Sequence, residues 1–523
     1  MQLFEFLFFC LIFVFILRLV ITPLRARISS SFLALTGISL LFIGPIFEGF
    51  RWQLIPAYLT FIFLALGSLK RAPSKLHWRA LAAVPCSILL LISVSLSQLL
   101  PVFNLPAPNG PYSIGTFDYT LVDDSRLERF APENNRELSV LVWYPSAKST
   151  EEKFPVRTLW QDVYSGDYDM LSFFTSYLGQ IDTHSQIESA IAPGEKFPIL
   201  VFNHGFMSPR EQNTVLMEHL ASHGYIIFSI AHTYQSTKVF LSSTEKILFN
   251  TGMPEDFRYI EAGALPITGV RDLVTSDDGS DHSLLDAQLF SIFSRYRTFE
   301  SEAEKRNLVE EVLSQRERYL IGPRTTSDTL YNYFYGQMTV MGSFAQTWVE
   351  DIEFVVDELA NVNAPITGFV DALDIEQLGV FGHSFGSAAA GEFCKSDDRC
   401  KAGIHIDGSQ QGYNWDTPLL APFLVMYSAN FYGGNDFAYQ SSNHELWNMT
   451  IDGIDHMDFT DVALAVRGLQ GPGMMGDVDN ERALIIINEV ALSFFEHYLK
   501  GAPLRTDLEQ IFPELTLELR EMH

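Results

Sequence analysis

Gly382-His383-Ser384-Phe385-Gly386 is the stretch of this 523-residue chain best suited to carry out chemistry. A serine hydroxyl attacks a carbonyl only when its backbone presents it tightly and a neighbouring base removes its proton. The flanking sequence fits that need. Leu378-Gly379-Val380-Phe381 reads as a short buried strand, and Ser387-Ala388-Ala389-Ala390-Gly391 as the small-residue start of a helix. A strand running into a helix through two glycines forms a strained elbow that exposes the hydroxyl beneath the positive helix N-terminus. Ser384 is therefore the candidate nucleophile.

A base and a group to orient it are then required, in the chain order serine, acid, histidine. His383 sits on the elbow itself, with its side chain expected to point away from Ser384, and reads as a structural histidine. Later histidines are His405 in a strand candidate, His497 in the last helix, terminal His523, His444 and His456. His456, in the loop Gly453-Ile454-Asp455-His456-Met457-Asp458-Phe459, stands where the base belongs, with His444 as runner-up. Two carboxylates end strand candidates after the elbow, Asp407 and Asp436, and position alone leaves both open. Asp455 and Asp458 are too near His456 in sequence to be preferred. The oxyanion formed on attack needs two backbone N–H donors. Phe385, just after the nucleophile, is one candidate, and Phe206 in the turn Asn203-His204-Gly205-Phe206 is the other. His204 reads as structural.

The elements that must position these groups alternate. Leu138–Tyr144, Pro198–Asn203, Tyr225–Ala231, Leu378–Gly382, Gly403–Asp407 and Phe423–Tyr427 are short apolar runs, and Arg482–Leu499 has a helical period ending at Lys500-Gly501. Buried strands separated by helical stretches predict a mostly parallel central sheet flanked by helices, the α/β-hydrolase fold, over residues 104–523. Residues 233–345 break the alternation, with an acidic run at Ser276–Ser283 and a charged helical stretch at Phe299–Tyr319. They read as an insertion, either a cap over the site or a solvated excursion.

Ahead of a proline-rich linker at 101–112, residues 1–103 hold four apolar runs: Leu3–Ile21, Ser31–Phe47, Trp52–Leu69 and Ala80–Phe103. Each approaches the ~20 residues that span a bilayer, so about four transmembrane helices are expected to precede the hydrolase domain. The first run lacks a basic start and a cleavage site, and is read as a retained helix rather than a signal peptide. Arg25 and Arg27 follow the first run and Lys70, Arg71, Lys75 and Arg79 follow the third, whereas the second loop has only Arg51. Positive loops stay in the cytoplasm, which directs the hydrolase domain of a multi-pass membrane protein to the extracytoplasmic side. In an oxidising compartment Cys394 and Cys400, read as lying in a loop-like stretch, could close as a disulfide, with two free thiols as the alternative. Cys10 and Cys86 lie in apolar stretches.

The net charge of −28 is divided unevenly: the first hundred residues hold eight Lys/Arg and two acids, and the remainder carries −34. Such an acidic surface repels phosphate backbones, so nucleic acid is not an expected partner. The cysteine and histidine spacings match no metal site, and no metal or cofactor is expected.

Several segments together resemble one family. They are Gly110-Pro111-Tyr112-Ser113-Ile114-Gly115, Val201-Phe202-Asn203-His204-Gly205-Phe206, Ser222-His223-Gly224-Tyr225, the elbow, and Ile406-Asp407-Gly408. In this order, over roughly 110–237 and 345–500, they look like the plasma-type platelet-activating-factor acetylhydrolases and their bacterial and plant relatives. The resemblance implies Asp407 as the acid, His456 as the base and Phe206 and Phe385 as oxyanion donors. It also implies calcium-independent cleavage of short or oxidised acyl chains from phospholipids. Three features depart from the family: Ser387 where a glycine is usual, the helical anchor, and the long insertion. The expected activity is a serine carboxylic-ester hydrolase with a lipid-like ester substrate and the bilayer as partner. The alternatives are an esterase on soluble esters, lactones or polyester fragments, an acyltransferase, or a catalytically silent membrane scaffold.

Overall fold

The computed structural model describes residues 2–69, 76–147, 154–165, 169–194, 196–241, 246–248, 341–412, 414, 417–428, 435–439, 442–465 and 475–520. Most of the expected insertion, including Ser276–Ser283 and Phe299–Tyr319, lies outside these residues.

The chain divides into two compact units. One comprises residues 1–105, 158–183 and 462–470, and the other residues 106–157, 184–461 and 471–523.

In the first unit, helices Leu3–Val20, Ser30–Glu48, Ile55–Leu69 and Leu76–Leu99 pack around Ile12, Phe15, Ala57, Phe61 and Cys86. Among the described residues three stretches are long and apolar enough to cross a membrane: Leu3–Val20, Ser30–Glu48 and Arg79–Leu99. The helix Ile55–Leu69 has 15 residues, about 22 Å of rise, short of a ~30 Å hydrocarbon core. Of the four expected spans, three coincide with helices of spanning length among the described residues, and the third run is a 3-10 turn at Trp52–Leu54 followed by the shorter helix Ile55–Leu69.

One end of this bundle is tied by charge. Glu48 accepts from the Phe4 and Glu5 amides at 2.8 and 3.2 Å, using the N-terminal donors of the first helix. Arg51 pairs with Glu5 at 2.8 Å and donates to the Leu100 carbonyl at 2.6 Å. The start of the first helix, the end of the second, the start of the third and the end of the fourth therefore meet, as in an up-and-down bundle. Residues 158–183 add to this end: Trp52 donates its indole N–H to the Phe174 carbonyl at 2.8 Å, and Gln180 donates to the Phe50 carbonyl at 3.0 Å.

The second unit is built on a sheet whose strands are β1 (Ser113–Glu128), β2 (Ala131–Ser146), β3 (Val156–Thr158), β4 (Asp182–Ile187), β5 (Phe197–Asn203), β6 (Ile226–Ala231), β9 (Leu373–His383), β10 (Cys400–Ile406), β11 (Phe423–Tyr427), β12 (Leu446–Ile451) and β13 (Leu515–Arg520). Two short strands, β7 (Lys238–Phe240) and β8 (Lys246–Leu248), pair separately. The order across the main sheet is β13-β12-β11-β10-β9-β5-β6-β2-β1-β4-β3. Pairs from β6 through β12 are parallel, while β2, β1 and β13 add antiparallel edges. Such a mostly parallel sheet with covering helices is that of an α/β hydrolase.

Period-two alternation buries both faces of the central strands. Ile199, Val201 and Val380 join the core that holds Phe344, Trp348 and Ile352 of helix Gly342–Asp357. On the other face Phe202 meets Phe381, which meets Phe495 of the long helix Asn480–Lys500, with ring centroids 5.0 and 5.7 Å apart. From β5 the chain builds outward to β6, then returns to the other side of β5 as β9 and builds the opposite way. The loops after β5 and β9 therefore face each other at the point where strand order reverses, where open sheets of this kind form a crevice.

Candidate active site

The elbow forms where β9 ends at His383 and helix Phe385–Ser396 begins. Ser384 between them has φ 55° and ψ −121°, a conformation an L-residue adopts only under constraint. The constraint is close packing on both sides. A Cβ on Gly382 would lie 2.3 Å from the Gly386 backbone, and one on Gly386 would lie 2.1 Å from the Asn203 carbonyl oxygen. The Ser384 amide donates to the Ile406 carbonyl at 2.8 Å, fixing the elbow to the end of β10.

Asp407 continues from β10 with φ 38°, and its amide donates to the Met426 carbonyl at 2.9 Å. This turn aims the carboxylate across the strand ends. One oxygen accepts from the Ser428 amide at 2.6 Å, and the other lies 2.6 Å from His456 Nδ1. Burial works to raise the Asp407 pKa, but the hydrogen bond and charge of His456 together with the Ser428 bonds outweigh it and hold the carboxyl below its usual range. His456 Nε2 lies 3.2 Å from Ser384 Oγ. The His456 side chain is 31% exposed and that of Asp407 4%, so the imidazole can be reached from outside while the carboxylate is shielded.

The loop carrying His456 follows β12. It forms a 3-10 turn, His456–Phe459, closed by a reciprocal cap in which Asp455 accepts from the His456 amide and Asp458 from the Asp455 amide. Those two acids shape the loop rather than reach the imidazole Nδ1. His444 is exposed and precedes β12, at the opposite edge of the parallel sheet from the elbow. Asp436 opens the short helix Asp436–Tyr439, and its side chain lies outside the described residues. His405 is tied to Tyr439 and the Gly408 carbonyl at 2.9 and 2.8 Å.

The turn after β5 is pinned by its own bonds. The Ser208 amide donates to the Gly205 carbonyl at 2.9 Å, and the Met207 amide to the Gln235 carbonyl at 2.9 Å. Phe206 lies with its ring 5.5 Å from that of Phe385, so the two expected oxyanion residues are neighbours. His204 donates from Nδ1 to the Gly205 carbonyl at 2.7 Å, and its Nε2 accepts from the His232 amide at 3.2 Å. Burial first, and then the neighbouring His232, pushes its pKa down to about 3, so it stays neutral.

Behind the turn lies a buried ionic cluster. His232 Nδ1 donates to Asp351 at 2.9 Å, and Arg136 grips the same carboxylate at 2.6 and 3.1 Å. His232 Nε2 faces Asn203 Oδ1 at 3.1 Å, and its ring stacks on Trp348 at 3.7 Å. Burial opposes the charge on Asp351, but the Arg136 guanidinium and the His232 bond hold its pKa far below the usual carboxylate range.

Three groups here carried no signal in the sequence: Gln212, Asn213 and Ser428. Asn213 donates to the Phe459 carbonyl at 2.6 Å, and the Asp461 amide donates to the Gln212 carbonyl at 3.1 Å, so the segment after the expected oxyanion turn holds the far end of the His456 loop.

Cys394 and Cys400 are joined by a disulfide. They do not lie in a loop: Cys394 is in the last turn of the elbow helix and Cys400 is the first residue of β10. Among the described residues no group of His, Cys, Asp and Glu side chains could hold a metal ion.

A family profile described as platelet-activating factor acetylhydrolase, isoform II, matches residues 100–261 and 346–512. This chain belongs to that family. The platelet-activating factor acetylhydrolase of Cavia porcellus is 23% identical over 437 residues, covering 79% of this chain and 84% of its own length. That of Canis lupus familiaris is 24% identical over 424 residues, covering 78% and 79%. A ferulic acid esterase from Streptomyces cinnamoneus superposes with a TM-score of 0.54 at 22% identity, over 80% of this chain and 99% of its own, and so shares the fold. As a member of the platelet-activating factor acetylhydrolase isoform II family, the chain is a carboxylic ester hydrolase.

Proposed function

We propose that this acetylhydrolase-family member is a membrane-held serine esterase that removes short or oxidised acyl groups from phospholipid-like esters. The observation that carries the reading is the unbroken line from Ser384 Oγ through His456 to Asp407, 3.2 and 2.6 Å, at the crevice end of the sheet.

The chemistry follows from that line. With a proton on Nδ1 donated to Asp407, His456 Nε2 has a lone pair for the Ser384 hydroxyl proton. Ser384 Oγ bonds to the ester carbonyl carbon as the proton passes to Nε2. The resulting oxyanion is met by the Phe206 and Phe385 amides, the latter in the orphan-donor turn of the elbow helix. The carbon–oxygen bond to the alcohol breaks, and the alcohol leaves with the proton from Nε2. Water then repeats the sequence, losing a proton to His456 and freeing the acid and Ser384. Asp407 keeps the imidazole in the working tautomer and offsets its charge at each transfer.

The bilayer is the second part of the proposal. Phe13, Leu35, Phe42, Ile46, Phe63, Leu81 and Leu91 are large, apolar and exposed on the helices, an outer surface suited to lipid. In the sequence Arg25, Arg27, Lys70, Arg71, Lys75 and Arg79 follow the first and third apolar runs, and only Arg51 follows the second. With those residues in the cytoplasm and the run Trp52–Leu69, its 3-10 turn included, crossing as a fourth span, the hydrolase unit is extracytoplasmic, where a Cys394–Cys400 disulfide persists.

The test is labelling with a fluorophosphonate in membranes, followed by rates on dispersed short-chain phosphatidylcholine and on a soluble acetate ester. Label lost with Ser384→Ala, and a phospholipid rate above the soluble one, is the expected result. Retention of label in Ser384→Ala would overturn the serine assignment, and a reversed rate order would overturn the lipid substrate.

A further inference from the structure

Gln212 is fully buried, and each of its polar groups is committed. Its side-chain oxygen accepts from the Gly205 amide at 2.7 Å, at the base of the expected oxyanion turn. Its side-chain nitrogen donates to His383 Nδ1 at 2.5 Å. His383 Nε2 lies 3.1 Å from the main-chain carbonyl of His456. Hydrogen placement is then forced along the whole line. Gln212 supplies the proton facing Nδ1, so His383 carries its own proton on Nε2 and donates it to the His456 carbonyl. The Gln212 carbonyl also receives the Asp461 amide, just past the His456 turn.

We propose that Gln212 is a positioning residue of the hydrolytic site, coupling the oxyanion turn to the base loop through a neutral His383. The proposal rests on the serine-esterase reading above. The Gly205 amide and the His456 carbonyl belong to two loops that follow different strands, β5 and β12. Within each, the reacting group is one residue away or on the same residue. A shift of either loop moves the oxyanion donor relative to the base, and errors of about 1 Å in such geometry can cost roughly 100-fold in rate. The line also explains the elbow histidine. An apolar side chain at 383 would leave the Gln212 amide and the His456 carbonyl without these partners in a buried place. His383 faces His456, Asp407 and His405, and burial drives its pKa down to about 3, with the nearby His456 charge adding to the effect. It is thus kept in the one state that fits both neighbours.

The test uses the full chain in membranes with p-nitrophenyl acetate as the probe. Gln212→Met keeps the length and removes both side-chain bonds. His383→Leu removes the relay at its centre, whereas His383→Gln can still donate to the His456 carbonyl and accept from Gln212. The expected result is a kcat about 10- to 100-fold lower for Gln212→Met and His383→Leu, with KM changed less than about 2-fold. His383→Gln should recover most of the rate, and the Gln212→Met/His383→Leu double variant should lose no more than the worse single one. Multiplying losses in the double variant, or His383→Gln no better than His383→Leu, would overturn the relay. Should Gln212→Met fail to fold, the His383 pair alone decides. Ser384→Ala run alongside separates the two layers: activity surviving it sinks the esterase reading, whereas its loss with indifferent Gln212 and His383 variants sinks only this proposal.

Discussion

Asp407 reaches His456 across the end of one intervening strand, β11, 2.6 Å from Nδ1, while its other oxygen is held by the Ser428 amide. A carboxylate so tethered fixes which imidazole nitrogen carries the proton. Asp407→Asn, with the amide able to donate to Nδ1, should favour the wrong tautomer and lower kcat on the order of 10⁴-fold with the fold intact. Asp436→Asn should leave kcat within a few-fold of wild type. Steady-state hydrolysis of a soluble acetate ester by both variants checks the assignment, and equal losses would refute it.

Asp351 tests the support behind the oxyanion turn. Asp351→Ala leaves Arg136 and His232 buried without their shared anion and should cost about 3–5 kcal/mol, read as a lower Tm in detergent. The pH dependence has a definite sign. The folded pKa of Asp351 lies below its unfolded value of about 3.9, so its stabilisation is complete well above that pH and declines as pH falls through it. The Tm gap between wild type and Asp351→Asn should therefore be constant near neutrality and narrow below about pH 4. A gap that widens on acidification would contradict the charge assignment.

The disulfide ties the elbow helix to the next strand across a sequence separation of 6. Loop-closure entropy for so short a ring gives a stabilisation of about 2 kcal/mol. Cys394→Ser together with Cys400→Ser should lower Tm, and a thiol reductant should lower wild type to the same value and leave the variant unchanged. Mass spectrometry of the alkylated, unreduced chain should find only Cys10 and Cys86 modified.

Orientation in the membrane can be read with an impermeant maleimide on a chain carrying Cys10→Ser and Cys86→Ser. Asn109→Cys should react in intact cells, and Lys75→Cys only after permeabilisation. The reverse pattern would place the esterase in the cytoplasm.

The central architecture was legible because its signals are local. β5 and the Leu378–Phe381 part of β9 are nearly unbroken apolar runs, and the elbow glycines are demanded by contacts a Cβ would enter. The long ribbon β1–β2 was less legible: Ser113–Glu128 mixes buried and exposed positions without a strict period. Asp407 and Asp436 both follow strands, and only the backbone turn at 407 determines which carboxylate points at the imidazole. Gln212 had no signal at all, since its partner His383 lies 171 residues away. The third apolar run, read as a span, opens with a 3-10 turn that its composition does not announce, ahead of a helix of 15 described residues.

The passage of the chain between its two units bears on how such an enzyme could be dissected. Residues 158–183 and 462–470, which lie within the hydrolase portion of the sequence, group with the N-terminal helices, so the chain passes between the units five times. A chain starting at Pro106 would retain Tyr177 and Leu178 but lose the helices of the unit in which they are buried. The N-terminal helical stretch is therefore not a detachable leader. Transplanting it onto a secreted relative, or removing it to obtain a soluble enzyme, requires re-engineering the 158–183 excursion as well.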